Sequence, residues 1–527
     1  MHRLADLLAL LCTFVAGVLV VLAPAQAQTV TLRSADGSLS LRGDLKAFDG
    51  ETYILETAVG PIPISAAGVF CDGEACPAPA VEASVFRILA SRGLEQGLVL
   101  SLLESYSLDI DTDIEIRPLG PQKTEVKLIN FDGTPAVTIA IEPAETGRAF
   151  EGLAISEATI ALTNRPIDAG EIQLISALGH GDPTSARSQS VAALDGVVFV
   201  TAPDNPLGAI TEDQIAALLS GQIRDWSEMG GTPGPVNLYL PSEETGTQAV
   251  LQDLILEPSG LTFSRNAAIL PTDAQVADRV TTDPFGFGVT TYSNLRSTTP
   301  LLVAGSCGFW SAPSPFAIKA EEYPYTKRIF LYRSGREVPD AVERFLTYLA
   351  SDPAQEVIRD AGYVDQRVSS VDITGQGLRF ATAIRPSSGA EVSLEQLQSL
   401  IEEVIAAQRL SMTLRFEAGT VGFDARASAD LKRLAEMIVA GRFEGQEILL
   451  LGFTDSLGRG ADNRELSDAR AEAAEAALRA LLPPEFATTA PIFSRGFGEL
   501  SPLACATTAD GQRINRRVEV WTRPALR

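Results

Sequence analysis

The chain has 527 residues, too many for one hydrophobic core, and at about 150 residues per domain it predicts three or four domains. Its formal net charge of -25 and pI near 4.6 argue against nucleic acid as a partner, because a polyphosphate needs a basic face. Histidine is confined to His2 and His180, which leaves little room for zinc sites or for Ser-His-Asp and Cys-His catalysis.

Residues 1–27 read as a signal peptide. His2 and Arg3 precede an apolar stretch from Leu7 to Leu22, and Ala25-Gln26-Ala27 offers small residues for cleavage before Gln28, so export to the periplasm is expected. Cys12 precedes most of that stretch and lacks a small residue just ahead of it, unlike a lipoprotein cysteine. Residues 28–80 alternate and turn, with Asp-Gly and Gly-Pro signals between strand-sized pieces, and predict a small β module without chemistry of its own. Within it "CDGEACP" sets Cys71 and Cys76 across a tight turn, which in an exported chain predicts a local disulfide. Cys307 and Cys505 lie far apart and receive no assigned pairing.

Residues 83–367 alternate strand and helix, the pattern of an α/β domain on a mostly parallel sheet. One helix begins at Thr211, with Ile215, Leu218 and Leu219 on one face, and an amphipathic pair is broken at Asp352-Pro353. Residues 368–409 read as a polar linker followed by a short helix capped by Ser393, with Gln396 in the capping-box position. Residues 410–527 suffice for one further α/β domain. There, Ile448 to Phe453 reads as a buried strand, Thr454 to Gly460 as a turn, and Asn463 onward as a helix. Asn463, Ser467 and Arg470 share one face of that helix, and Asp455 at the strand's end can face it. A carboxylate and a guanidinium on one groove suit a zwitterion, the acid taking an ammonium and the arginine forking onto a carboxylate. The alternative is that the two simply pair with each other.

The blocks "LRFEAGTVGFDARASADLKRLAEMI", "GFTDSLGRGADNRELSDARAEAAEAAL" and "FGELSPLACATTADGQRINRRVEVW" resemble, in order and spacing, the OmpA-like peptidoglycan-binding domain. That resemblance implies an α/β sandwich in which Asp455 and Arg470 grip the amino-acid end of diaminopimelate in the wall peptide, with Asn463 and Arg517 lining the site. Phe453 stands where many members have histidine.

"ISEATIALTNRPID", "LDGVVFVTAPDNPLGAITEDQIAALLSGQIRDWSEMGG", "SEETGTQAVL" and "EEYPYTKRIFLYR" resemble the PstS-like phosphate-binding proteins of ABC transporters. This implies a two-lobed periplasmic-binding-protein fold (class II-like) and, position by position, ligand groups at Ser91, Thr146, Gly147, Thr163, Arg165, Thr245, Gly246 and Thr247. Three departures are visible: Thr245 in a turn that is commonly Ser-Gly-Thr, Thr163-Asn164-Arg165 in place of a serine-rich segment, and Arg92 where a small hydroxyl residue is common. Arg165 is expected to supply the only full positive charge, so that its loss would weaken binding more than loss of Thr247.

Together these readings imply a non-enzymatic exported protein, without cofactor or metal, that captures phosphate or a related small oxyanion and is tethered non-covalently to peptidoglycan. An ABC permease is a further candidate partner. The alternative is an envelope-organising protein whose central fold serves as a docking surface.

Overall fold

The structure is a computed structural model that describes residues 29–34, 40–48, 52–65, 69–73, 75–76, 84–120, 122–185, 187–377, 379–380, 393–416 and 422–525. The expected signal peptide lies outside the described residues. Among them, no helix is long and apolar enough to cross a membrane. The described residues fall into two compact units, one before residue 83 and one after it.

The first unit is a five-stranded antiparallel sheet in the order Gly60–Ser65, Thr52–Thr57, Ser40–Phe48, Thr29–Ser34, Val69–Asp72. Alternation places Val30, Leu32, Tyr53 and Leu55 in one small core. Cys71 and Cys76 are disulfide-bonded.

The second unit holds the expected α/β architecture. Its long mixed sheet runs in the order Ala268–Leu270, Asn237–Pro241, Gly286–Thr291, Gln189–Thr201, Thr326–Arg333, Ile160–Thr163, Ser84–Ser91, Pro135–Ala144, Lys123–Ile129, Asp113–Gly120. Two lobes result because Gln189–Thr201 changes partner midway. Gln189 to Gly196 pair with Thr326–Arg333, whereas Val197 to Thr201 pair with Gly286–Thr291. In the first lobe Phe86, Ile88 and Ala90 point to one face of the sheet and Leu89 to the other, so helices cover both sides. The second lobe is packed around Phe199, Leu240, Phe287 and Val289. Its helix Glu212–Ser220 is capped by Thr211 with Gln214 completing a capping box.

The C-terminal sheet has the order Ser370–Val371, Gln408–Arg415, Arg517–Pro524, Gln446–Phe453, Ile492–Gly496. Gln446–Phe453 is buried on both faces, with Ile448 and Leu450 in one core and Leu449, Leu451 and Phe453 in the other. The segment expected as linker is therefore only partly linker. Ser370–Val371 extends the sheet edge, and the Ser393-capped helix Leu394–Val404 covers the second face through Leu400 and Val404.

The second lobe and the C-terminal sheet are joined by buried charge and a covalent bond. Glu321 accepts from Arg328 at 2.6 Å and from Arg426 at 2.9 Å, and Arg415 donates to the carbonyls of Ala320 and Glu321. Burial alone would raise the Glu321 carboxyl, but Arg426, Arg328 and Arg415 outweigh it and hold it well below the usual range. Glu322 pairs in turn with Arg409. Cys307 and Cys505, 198 residues apart, form the second disulfide.

Candidate functional site

In the first lobe, Ser84–Ser91, Pro135–Ala144 and Ile160–Thr163 run parallel, so Ser91, Thr146 and Asn164 all emerge at the carboxyl end of the sheet. Ligands of open α/β sheets bind in the crevice at this end. Thr146 opens the helix Thr146–Ala154, and its hydroxyl lies 2.7 Å from that of Ser91 and donates to Asn164 Oδ1 at 3.0 Å. Asn164 Nδ2 donates at 2.7 Å to the carbonyl of Thr245, which belongs to the second lobe. Lys327, on the strand linking the lobes, donates its Nζ to the same carbonyl at 3.0 Å. Five side- or main-chain groups thus form one continuous chain across the cleft. Gly246 adopts φ +71°, and a Cβ there would press on the Asn164 amide, so the close approach of the lobes requires glycine.

The other expected cleft residues differ in what they face. Thr163 Oγ1 donates to the Arg165 carbonyl within its own loop. Thr245 Oγ1 donates to Ser242, and Thr247 Oγ1 donates at 2.8 Å to Asp273. Gly147 lies beside the Arg165–Glu171 pair. Arg165 is not the uncommitted cation expected from the sequence: its guanidinium makes bonds of 2.9 and 2.7 Å to the two oxygens of Glu171 and lies over the Phe150 ring. Glu171 is fixed there by its capping box with Asp168 at the start of the helix Ala169–Ala177. Arg92 reaches across to Glu244 at 2.8 Å as a half-exposed pair. A cavity of about 370 Å³ in the second lobe, lined by Leu218, Arg224, Asn237 and Tyr239 among others, does not include these hydroxyls.

Asp273 carries the one strongly perturbed carboxyl beside the cleft. Burial pushes it up to about 6, against the opposing effects of Lys327 and Thr247, with Asp195 adding to the rise. A folded carboxyl that keeps its proton to higher pH than an unfolded one stabilises the fold most below the ordinary range near 3.8, and stability falls as pH rises through about 6. Asp273→Asn keeps an acceptor for Thr247 and abolishes that loss. At pH 8 the variant is expected to be more stable than the parent by roughly 1–3 kcal/mol, and at pH 4 to be no more stable. Urea midpoints at the two pH values check this.

The C-terminal groove is built by close packing of the helix Gly460–Leu481 on the sheet. A Cβ at Gly452 or Gly496 would collide with the backbone at Ser467 and Asp468, so the two glycines let the helix descend. Asn463, Ser467 and Arg470 on its inner face are consequently buried, as is Asp455 at the end of the strand Gln446–Phe453. Arg470 is 3% exposed and stacks on Phe416 at 5.3 Å. Its Nε and Nη1, with Asn463 Nδ2 and Thr454 Oγ1, have no hydrogen-bond partner among the described residues. Burial and the Arg516 charge lower the Arg470 pKa, and Asp455 opposes them. Asp455 is bonded not by Arg470 but by Arg516, at 2.9 Å, and it accepts the Leu457 N–H.

Arg517, expected to line this groove, lies on the other side of the sheet. It stands opposite Phe453 in register, stacks on that ring at 4.3 Å and pairs with Glu519 at 2.7 Å. Successive side chains of a strand face opposite ways, so it is the preceding Arg516 that reaches Asp455. Sequence reasoning noted Asn164 only as a departure from the family pattern and passed over Lys327 and Asp273. Only Asn164 had a local signal, its place between two singled-out residues.

Comparison with known proteins matches these two regions separately. Residues 125–353 match the PBP superfamily domain and residues 415–516 the OmpA family. The phosphate-binding protein PstS of Borreliella burgdorferi is 19% identical over 214 residues, covering 39% of this chain and 71% of that protein. PstS of Bacillus subtilis is 25% identical over 265 residues, covering 49% and 81%. Outer membrane porin F of Pseudomonas aeruginosa is 32% identical over 112 residues, covering 21% of this chain and 30% of the porin. The chain therefore carries a PBP superfamily domain, matched over residues 125–353, followed by an OmpA family domain, matched over residues 415–516.

Proposed function

We propose that this is an exported envelope protein that captures phosphate or a related small oxyanion in its central cleft and is held to peptidoglycan by its C-terminal domain. The observation that carries the reading is the donor set left open at the C-terminal groove: buried Arg470 and Asn463 with unpartnered N–H groups, beside the Asp455 carboxylate. Buried polar groups are normally satisfied, so an arginine in this state is poised for an incoming acceptor. A zwitterionic amino-acid terminus such as that of diaminopimelate supplies a carboxylate for Arg470 and an ammonium for Asp455. For the central domain, the relatives are named as phosphate-binding proteins, and the Ser91–Thr146–Asn164 chain consists of neutral groups that can turn their O–H and N–H bonds from one another onto an oxyanion in an acidic protein.

A second reading is favoured by one observation. Asn164 and Arg92 bridge directly to Thr245 and Glu244, so these cleft groups find partners in the opposite lobe and need no small anion to satisfy them. Calorimetric titration of the purified protein with phosphate and sulfate separates the two. Saturable heat with one stoichiometric anion supports capture; flat titrations with both favour docking.

A further inference from the structure

A positive charge in the cleft would strengthen its hold on an anion, but Arg92 and Arg165, next in sequence to Ser91 and Asn164, are already engaged, Arg165 by both oxygens of Glu171 and Arg92 by Glu244. Lys327 is different. It is 6% exposed, stands directly opposite Asp195 across the paired linking strands, and donates to the Thr245 carbonyl at 3.0 Å. Among the described residues no carboxylate lies within ion-pair distance of its Nζ, although Asp273 and Asp195 both feel its charge. Burial pushes both carboxyls up, so they carry negative charge reluctantly.

An ammonium buried without a close counter-charge is costly, and an arriving anion offsets that cost. Position completes the argument. The Thr245 carbonyl accepts from Lys327 and from Asn164 alike, and Asn164 is bonded to Thr146, which is bonded to Ser91. An oxyanion entering at this junction meets two hydroxyls, an amide and an ammonium contributed by separate elements. The ammonium has three donors and, among the described residues, one hydrogen bond, so it can turn to a ligand without leaving its place. Unlike a guanidinium it is a point charge that imposes no planar fork, which suits a tetrahedral oxyanion.

We infer that Lys327 is the charged group that receives the anion in the cleft, an assignment that rests on the oxyanion-capture reading above. The role expected of Arg165 thereby passes to Lys327.

The test is calorimetric titration of the purified full chain with inorganic phosphate, for the parent and for Lys327→Gln, Lys327→Met and Arg165→Ala. Lys327→Gln keeps a donor for Thr245 and so guards against loss of fold, which the thermal transition of each unliganded variant reads. Both Lys327 variants are expected to bind at least about thirtyfold more weakly, as removal of a buried charge partner does. Arg165→Ala is expected to stay within about threefold of the parent, because its guanidinium serves Glu171. A folded Lys327→Gln protein that binds phosphate within about threefold of the parent overturns the assignment and leaves the capture reading standing. A parent protein that gives no heat with phosphate overturns both.

Discussion

Arg470→Ala is expected to abolish retention of the protein on diaminopimelate-containing sacculi, weakening binding by at least about a hundredfold, while the fold persists by circular dichroism. A buried, hydrogen-bonded charge pair is worth roughly 2–5 kcal/mol when one partner is truncated. Arg470 meets the conditions for the upper part of that range, because it is buried, stacked on Phe416 and has two N–H groups waiting for an acceptor. Asp455→Ala is expected to fail as completely, since it removes the ammonium's partner and also leaves the Arg516 charge beside Arg470 without its carboxylate. Arg517→Ala acts differently: it empties a position stacked on Phe453 and unbalances Glu519, so it is expected to unfold the domain rather than to cleanly remove binding. Retention of Arg470→Ala on sacculi at parental levels would sink the groove assignment.

The largest effect on stability is expected at Glu321. This residue occupies the left-handed region at φ 51° and brings its carboxylate among Arg328, Arg415 and Arg426. Glu321→Ala leaves the buried Arg415 guanidinium facing positive charge with no carboxylate of its own, and breaking a buried pair in this way costs about 3–5 kcal/mol. The exposed pair Glu356–Arg359 is the control, and Glu356→Ala is expected to leave the urea midpoint unchanged. A Glu321→Ala midpoint equal to that of the control would mean that the two domains do not depend on this contact.

The sequence carried the parts of the structure that repeat locally. The both-faces-buried strand Ile448 to Phe453, the caps at Thr211 and Ser393, and the placement of Asn463, Ser467 and Arg470 on one helix face all follow from period and spacing. What was not legible depends on partners distant in sequence or on a single residue of register. Arg516 and Arg517 differ only in which side of a strand they leave, and adjacent residues of one sequence do not reveal that. Arg165 was expected to charge the cleft, and its partner Glu171 gave no warning because it serves at the same time as the third residue of a helix cap. Lys327 gains its role from the pairing of two strands more than a hundred residues apart, and the Cys307–Cys505 bridge from the docking of two domains. The helix Leu394–Val404 was legible with its Ser393 cap, but its own amphipathic face gives no hint of which sheet it covers.

On the proposed function, one chain holds a small oxyanion and the wall at once. Co-sedimentation with purified sacculi in the presence of radiolabelled phosphate measures both together. Label is expected to pellet in proportion to bound protein, Arg470→Ala to leave protein and label in the supernatant, and Lys327→Gln to pellet without label. Parent protein that pellets with the sacculi while all of the phosphate stays in solution would contradict it.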